Sequence, residues 1–250
     1  MHDNVLQVSD LVGGYSGRKP ILHHLTFHVQ PGEIIGLVGL NGAGKSTTIK
    51  HILGLLEPLQ GEVKIQGKTR KQAKQGYHSS LGYIPETPLL YEQLTLWEHL
   101  ELTAMAYQIG KKDLAERGKF LLDEFNMIKM KDWLPDSFSK GMKQKVMIMN
   151  AFLVRPSLYV IDEPFLGLDP RAIHSLLALL NEEKRRGAGI FMSTHILSTV
   201  ESFCDRFILL HEGRILLHGT LADWRRQTGL TNCSLDEIFM KVTEVNRDEE

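Results

Sequence analysis

The most specific chemistry in this chain sits in one short stretch, Gly39-Leu40-Asn41-Gly42-Ala43-Gly44-Lys45-Ser46-Thr47. Its spacing satisfies G-x-x-x-x-G-K-[ST], a loop whose amide N–H groups curl around phosphate oxygens. Glu33 to Val38, an apolar run, reads as a buried strand leading into the loop, and Ser46 to Leu56 has helical spacing after it. Such a helix turns its positive end toward the same anion. Lys45 would reach the β- and γ-phosphates, and the Ser46 hydroxyl would ligate Mg²⁺. A nucleoside triphosphate is the expected ligand. The plain alternative is a glycine-rich turn that fits by chance.

A second cluster completes that chemistry. Leu158-Tyr159-Val160-Ile161 is an apolar strand that runs into Asp162-Glu163. A triphosphate hydrolase needs a carboxylate beside the loop to hold Mg²⁺, and Asp162 is the candidate. Side chains alternate along a strand, so Glu163 is expected to face the other way, toward the γ-phosphate and its attacking water. There it would act as general base. A strand-terminal acidic cap is the simpler reading. Ser193-Thr194-His195 ends the next apolar strand, where parallel sheets gather their functional groups, so His195 could hydrogen-bond the γ-phosphate.

Positioning these groups requires strands and helices in alternation. Val5 to Val8 and Leu22 to Val29 read as strands, with Pro31-Gly32 turning into the loop strand. Gly61 to Ile65 and Leu81 to Ile84 follow as strands. Leu96 to Tyr107, Lys112 to Phe125 and Met142 to Leu153 form a helical block punctuated by Pro135 and Pro156. Helix and strand then alternate through Arg171 to Arg185, Ile190 to Ser193 and Leu197 to Phe203. Phe207 to Leu210 and Arg214 to Leu217 make a hairpin through Glu212-Gly213. The fold class is α/β, with a small antiparallel β piece and an all-helical insertion. Leu221 to Val245 reads as one amphipathic helix before an acidic tail.

Composition narrows the partners. A net charge of −1 gives no basic field for nucleic acid or anionic lipid. Lys68 to Lys74 is locally basic and reads as a solvated loop. Cys204 and Cys233 offer neither a disulfide framework nor metal-ligand spacing, and the eleven histidines are scattered, so no zinc site is expected. Neither a signal pattern at the N-terminus nor a run of membrane-spanning length is present, so any membrane crossing falls to a partner.

The order of phosphate loop, helical lobe, Ser139-Lys140-Gly141-Met142-Lys143-Gln144, Asp162-Glu163, Gly167-Leu168-Asp169 and His195 resembles the ATP-binding cassette (ABC) ATPases over about residues 4 to 220. That resemblance implies a P-loop NTPase core of RecA-like type in residues 1–220. An antiparallel β subdomain and a helical subdomain at about 87–155 belong to it, and 221–250 form a helical extension. The family signature Leu-Ser-Gly-Gly-Gln stands here as Phe138-Ser139-Lys140-Gly141-Met142, keeping Ser139 and Gly141. In the family this signature closes on the ATP of a second subunit. The resemblance thus implies a head-to-tail dimer with an identical or a related partner, the identical one being expected. Ser139 is also a ready N-cap for the following helix.

Asp169 matches the residue that communicates across that dimer, and Tyr15 matches the aromatic that stacks on adenine. One position departs. The family places Gln where this chain has Glu86, whose carboxylate can ligate Mg²⁺ and accept a hydrogen bond but cannot donate one as an amide does. Glu86 as a non-ligating hinge residue is the alternative.

The implied function is the ATPase subunit of a membrane transporter, with ATP and Mg²⁺ as cofactors and a separate integral membrane subunit. Its implied place is the cytoplasmic face of the cell membrane. The motifs resemble the bacterial exporter-type branch, which implies export of peptides or other amphipathic cargo. Leu89, Leu90, Tyr91, Leu94 and Trp97 would line a groove for the membrane partner or pack the lobe's own core. A soluble ABC ATPase acting on ribosomes or DNA is the second reading, and a phosphoryl-transfer kinase the third. Relatives of the second kind carry two cassettes or coiled-coil insertions, and a kinase would lack the Ser139 signature.

Overall fold

The computed structural model describes residues 4–16, 19–73 and 76–245. Strands β1 (Leu6–Gly13), β2 (Leu22–Val29) and β3 (Ile34–Val38) lead to helix α1 (Lys45–Ile52). β4 (Gln60–Ile65), β5 (Lys68–Thr69), the single turns α2 (Arg70–Ala73) and α3 (Gly76–Ser79), and β6 (Leu81–Ile84) follow. Helices α4 (Leu96–Ala106), α5 (Lys111–Glu124) and α6 (Lys140–Val154) then separate β6 from β7 (Leu158–Asp162). The chain continues through α7 (Pro170–Arg185), β8 (Gly189–Ser193), α8 (Leu197–Glu201), β9 (Arg206–His211) and β10 (Arg214–Gly219). It ends in α9 (Leu221–Thr228) and α10 (Leu235–Val245).

Two sheets result. One is antiparallel, in the order β2-β1-β4-β5. The other runs β10-β9-β3-β8-β7-β6 and is parallel except for the β9–β10 hairpin. That hairpin turns at Glu212 (φ 44°) and Gly213 (φ 71°), the positive-φ pair a tight two-residue turn uses.

Both faces of the larger sheet are covered, which is why β3 is apolar throughout and β7 and β8 are apolar up to their last residues, Asp162 and Ser193. Ile34 and Val38, Tyr159 and Ile161, and Ile190 and Met192 face the core shared with the helical lobe. Their neighbours Ile35 and Leu37, Leu158 and Val160, and Phe191 face the antiparallel sheet. Phe27 stacks on Phe191 across that second core, with ring centroids 5.3 Å apart. Thr95 and Glu98 form a capping box that starts α4.

The structure corrects two expectations. Lys68 to Lys74 is not simply a solvated loop. Lys68 and Thr69 pair with β4, and Arg70–Ala73 forms a helical turn, with Arg70 donating to the Gly54 carbonyl and Lys71 facing Glu57. Local hydrogen bonding orders a segment whose charge suggested only solvent, and Lys74 lies outside the described residues. The terminal helix is likewise two helices. Gly229, at φ 73°, ends α9 in a left-handed cap, and the chain turns before α10. The acidic residues beyond Val245 lie outside the described residues.

Candidate functional site

The C-terminal ends of β3, β7 and β8 open into one cavity of about 690 Å³. Parallel sheets place ligands at this end because the connecting loops converge there. Tyr15, Glu86, Asp162, Glu163 and His195 all line it. So does the phosphate loop, from Gly39, Leu40, Asn41 and Gly42 to Gly44, Lys45, Ser46 and Thr47. Ala43 does not. It is buried behind the loop, where its N–H donates to the Leu40 carbonyl (3.1 Å) and its carbonyl accepts from Gly213 N–H (2.9 Å).

Gly44 caps α1 without a side-chain acceptor, so the N–H groups of Lys45, Ser46 and Thr47 open the helix with no intrahelical partner. An anion is the natural acceptor for such groups. The Lys45 ammonium is buried and donates to the carbonyls of Gly39 (2.8 Å) and Leu40 (3.2 Å). Burial lowers its pKa, against the opposing pull of the Glu163, Asp162 and Glu86 carboxylates. Those three acids therefore share the cavity with the Lys45 ammonium and act on its charge. Burial pushes the neighbouring Tyr83 phenol up to about 12, with Asp162 and Glu86 adding to the shift.

Asp162 ends β7 opposite Ser193 in the ladder, and the Ser193 hydroxyl donates to its Oδ1. Glu163 is different. The strand stops at Asp162, and Glu163 takes a left-handed conformation (φ 47°) that costs a non-glycine residue about 1–3 kcal/mol. Strand alternation therefore stops one residue early, and both carboxylates reach the same cavity instead of opposite faces. Glu163 N–H donates to the Ser193 carbonyl (3.1 Å). Its Oε2 accepts from His195 N–H (3.2 Å) and pairs with His195 Nδ1 (2.8 Å). The acid is nearly buried and the imidazole half exposed, so the pair spans the cavity wall and its mouth.

Among the described residues, no group of three or more His, Cys, Asp or Glu side chains is arranged to hold a metal. The donors that share the cavity are Ser46, Asp162 and Glu86. One hydroxyl and one or two carboxylates suit Mg²⁺, which keeps its waters and takes the rest of its oxygens from substrate phosphates. The residues present fit that ion.

Tyr15 also lines the cavity and stands exposed. Lys50 donates to its hydroxyl (3.0 Å) and lies 4.8 Å from the ring centroid, which lowers the phenol pKa. Ser139 and Gly141 do not line the cavity of their own chain. Ser139 caps α6, accepting from Met142 N–H (3.2 Å). A Cβ on Gly141 would lie 2.2 Å from the Gly167 carbonyl oxygen, so the signature turn is pressed against the loop after β7. Gly141→Ala must displace one of these backbones. We expect it to lower ATP turnover with little change in ATP affinity; equal kcat in the variant would show that the contact is slack. Asp169 is engaged within its own chain, accepting from Ala172 N–H (2.8 Å) and Lys145 Nζ (2.7 Å). The lysine bond, followed by the helix N–H, holds its carboxyl below the usual range.

Leu89 and Tyr91 are exposed, whereas Leu90 and Trp97 pack on the lobe's core and Leu94 is half-buried. His99 fixes this stretch, with Nδ1 bonded to the Thr95 carbonyl (2.8 Å) and Nε2 accepting from Tyr91 N–H (2.9 Å). Sequence reasoning missed Asp236 and Phe239, which α10 brings to the cavity wall. The signal was a Ser234-Leu235-Asp236-Glu237 start, in which Glu237 reciprocates the Ser234 cap and Asp236 is left over.

Comparisons with known proteins agree with this geometry. A family model described as ABC transporter matches residues 22–166, more than half of the chain. The chain is 55% identical over 240 residues to the ABC-type transporter ATP-binding protein EcsA of Bacillus subtilis, covering 96% of this chain and 97% of that protein. It is 34% identical to the SkfA peptide export ATP-binding protein SkfE of the same organism, covering 89% and 95%. A solved ATP-binding subunit of an ABC transporter superposes with a TM-score of 0.93 at 54% identity, over 96% of this chain and 99% of that one. With its phosphate loop, paired carboxylates and signature turn in place, this chain belongs to the ABC transporter family, as an ATP-binding subunit that hydrolyses ATP.

Proposed function

We propose that two copies of this chain close head to tail on ATP, and that the cycle of closing and opening drives transport through a separate integral membrane subunit. One observation carries this reading: the cavity gathers Lys45, Asp162, Glu163 and His195, while Ser139 and Gly141 of the same chain lie outside it. A second copy would supply the missing N-terminus of α6 to the γ-phosphate. The working unit is residues 1–220, with the helical subdomain at about 87–155 and an extension from 221. Its place is the cytoplasmic face of the cell membrane, and no helix among the described residues is long and apolar enough to cross one.

In this cycle Tyr15 stacks on adenine. The free N–H groups at the start of α1 hold the phosphates, and Lys45 leaves the Gly39 and Leu40 carbonyls for the β- and γ-phosphates. Ser46, Asp162 and Glu86 would hold Mg²⁺, which neutralises phosphate charge when bound. Glu163 takes a proton from water as its oxygen attacks the γ-phosphorus, and the bond to the β,γ-bridging oxygen breaks to release ADP and phosphate. His195 donates toward the γ-phosphate, and its existing bond to Glu163 sets the two groups in register. Asp169 exchanges its Lys145 bond for a contact across the seam.

Transport is proposed to be outward, since the relatives include a peptide export protein. The exposed Leu89 and Tyr91, three and five residues after Glu86, offer an apolar contact for the membrane subunit close to the reaction site. Pull-down of the chain from native membranes tests the reading: a co-purifying polytopic protein supports it, and association with ribosomes or DNA instead rejects it. Glu86→Gln removes a negative charge beside Lys45 and the phosphates. We expect a several-fold rise in the Mg²⁺ concentration for half-maximal turnover; an unchanged Mg²⁺ titration would make Glu86 a hinge residue only.

A further inference from the structure

The extension reaches the reaction cavity through a rigid mount. Leu235 and Ile238 of α10 are fully buried, and Leu235 N–H donates to Glu201 Oε2 (2.9 Å) on α8, the helix that follows His195. This anchoring holds Asp236 on the cavity wall. Its neighbour Glu237 is spent on the Ser234 cap, but Asp236 has no hydrogen bond or ion pair among the described residues. A helix dipole favours an acid at this position and accounts for the residue type. It does not account for a carboxylate lining a cavity that Glu86, Asp162 and Glu163 already share with Lys45. A bound triphosphate adds further negative charge that Lys45 and Mg²⁺ would offset, while Asp236 itself pairs with no cation among the described residues.

The complementary feature lies at the N-terminus of α6, outside that cavity. α6 opens with Lys140 and carries Lys143 one turn later, with no acid in its first turn. Two cations at the positive end of a helix repel its dipole. Lys145 is neutralised by Asp169, whereas Lys140 is exposed, and neither it nor Lys143 has an ion pair or side-chain hydrogen bond among the described residues. Gly141, packed on the Gly167 carbonyl, fixes the turn that presents Lys140.

We infer that Asp236 of one copy pairs with Lys140 of a second copy when the two close on ATP, so that α10 is part of the closing surface and not only a cover for the core. This inference rests on the head-to-tail reading above. It joins an unpaired acid on the acidic side of the seam to an unpaired base on the basic side. The contact forms twice per dimer by symmetry. It is solvent-edged, so it weakens with salt.

The test is ATP-driven dimerisation of the full chain in the Glu163→Gln background, followed by light scattering across protein concentration. If that background stays monomeric with saturating ATP, the head-to-tail reading itself fails. Given a dimer, Asp236→Lys and Lys140→Asp are each expected to raise the concentration for half-dimerisation by about tenfold, two weakened contacts per assembly adding up. The double exchange, Asp236→Lys with Lys140→Asp, is expected to return it to within about threefold of the parent. An acid at 140 that merely repelled phosphate would not be rescued this way. Asp236→Asn, the milder change, should weaken dimerisation and flatten its salt dependence. Unchanged midpoints in the single variants, or no rescue in the double, overturn the pairing.

Discussion

Glu163→Gln is expected to lower ATP turnover by about two to four orders of magnitude while ATP stays bound, the scale by which a positioned general base accelerates proton transfer. The substitution is nearly isosteric. Its amide oxygen still accepts from His195 N–H, and the backbone bond to the Ser193 carbonyl is untouched, so the left-handed turn at this position should persist. What disappears is the capacity to take a proton. The reaction therefore stops before bond cleavage, and the chain should accumulate as an ATP-loaded pair. Phosphate release in a single turnover, with thermal melting as the control for folding, measures the effect. Turnover at the parent rate would remove Glu163 from the role of base and leave its contact with His195 as architecture.

Lys45→Ala acts earlier, on binding. The ammonium is buried and shares the cavity with the Glu163, Asp162 and Glu86 carboxylates. Its loss leaves those charges uncompensated at the place where a triphosphate must sit. Removing a charged hydrogen bond to phosphate costs up to about 3 kcal/mol, on the order of a hundredfold in Kd. We expect ATP binding by calorimetry to fall by about that factor, and ATP to lose its effect on melting temperature. The Gly39 and Leu40 carbonyls would also lose their donor, so the unliganded loop should loosen. Tight binding by the variant would overturn the assignment of the phosphate loop.

Much of this site is legible in the order of residues. The phosphate loop is a local object: strand, turn and helix start occupy adjacent residues, so the motif carries its own geometry. The strands β3, β7 and β8 stand out as apolar runs because both faces of their sheet are buried. The hairpin at Glu212-Gly213 is equally plain, since a two-residue turn depends on little beyond its own dihedrals.

Glu163 shows where such reasoning stops. Alternation along a strand sends Asp162 and Glu163 to opposite faces, and the inference holds only while the chain stays extended. The left-handed turn at Glu163 is stabilised by Ser193 and His195, thirty residues further on, and no local pattern encodes that support. The tail is a similar case. Its amphipathic spacing runs smoothly past Gly229, but two helices pack on different supports, α9 beside β10 and α10 against α8.

Side-chain types and short spacings alone thus determined the ligand class, the α/β character and the set of groups on hand for hydrolysis. Tertiary packing decided which of those groups meet. It turned both strand-end carboxylates into one cavity, left Ser139 and Gly141 outside it, and carried Asp236 to its wall from seventy residues away. Such meetings are set by long-range burial and by backbone conformations that neighbours across the sheet hold in place, and neither quantity is written in any short stretch of sequence.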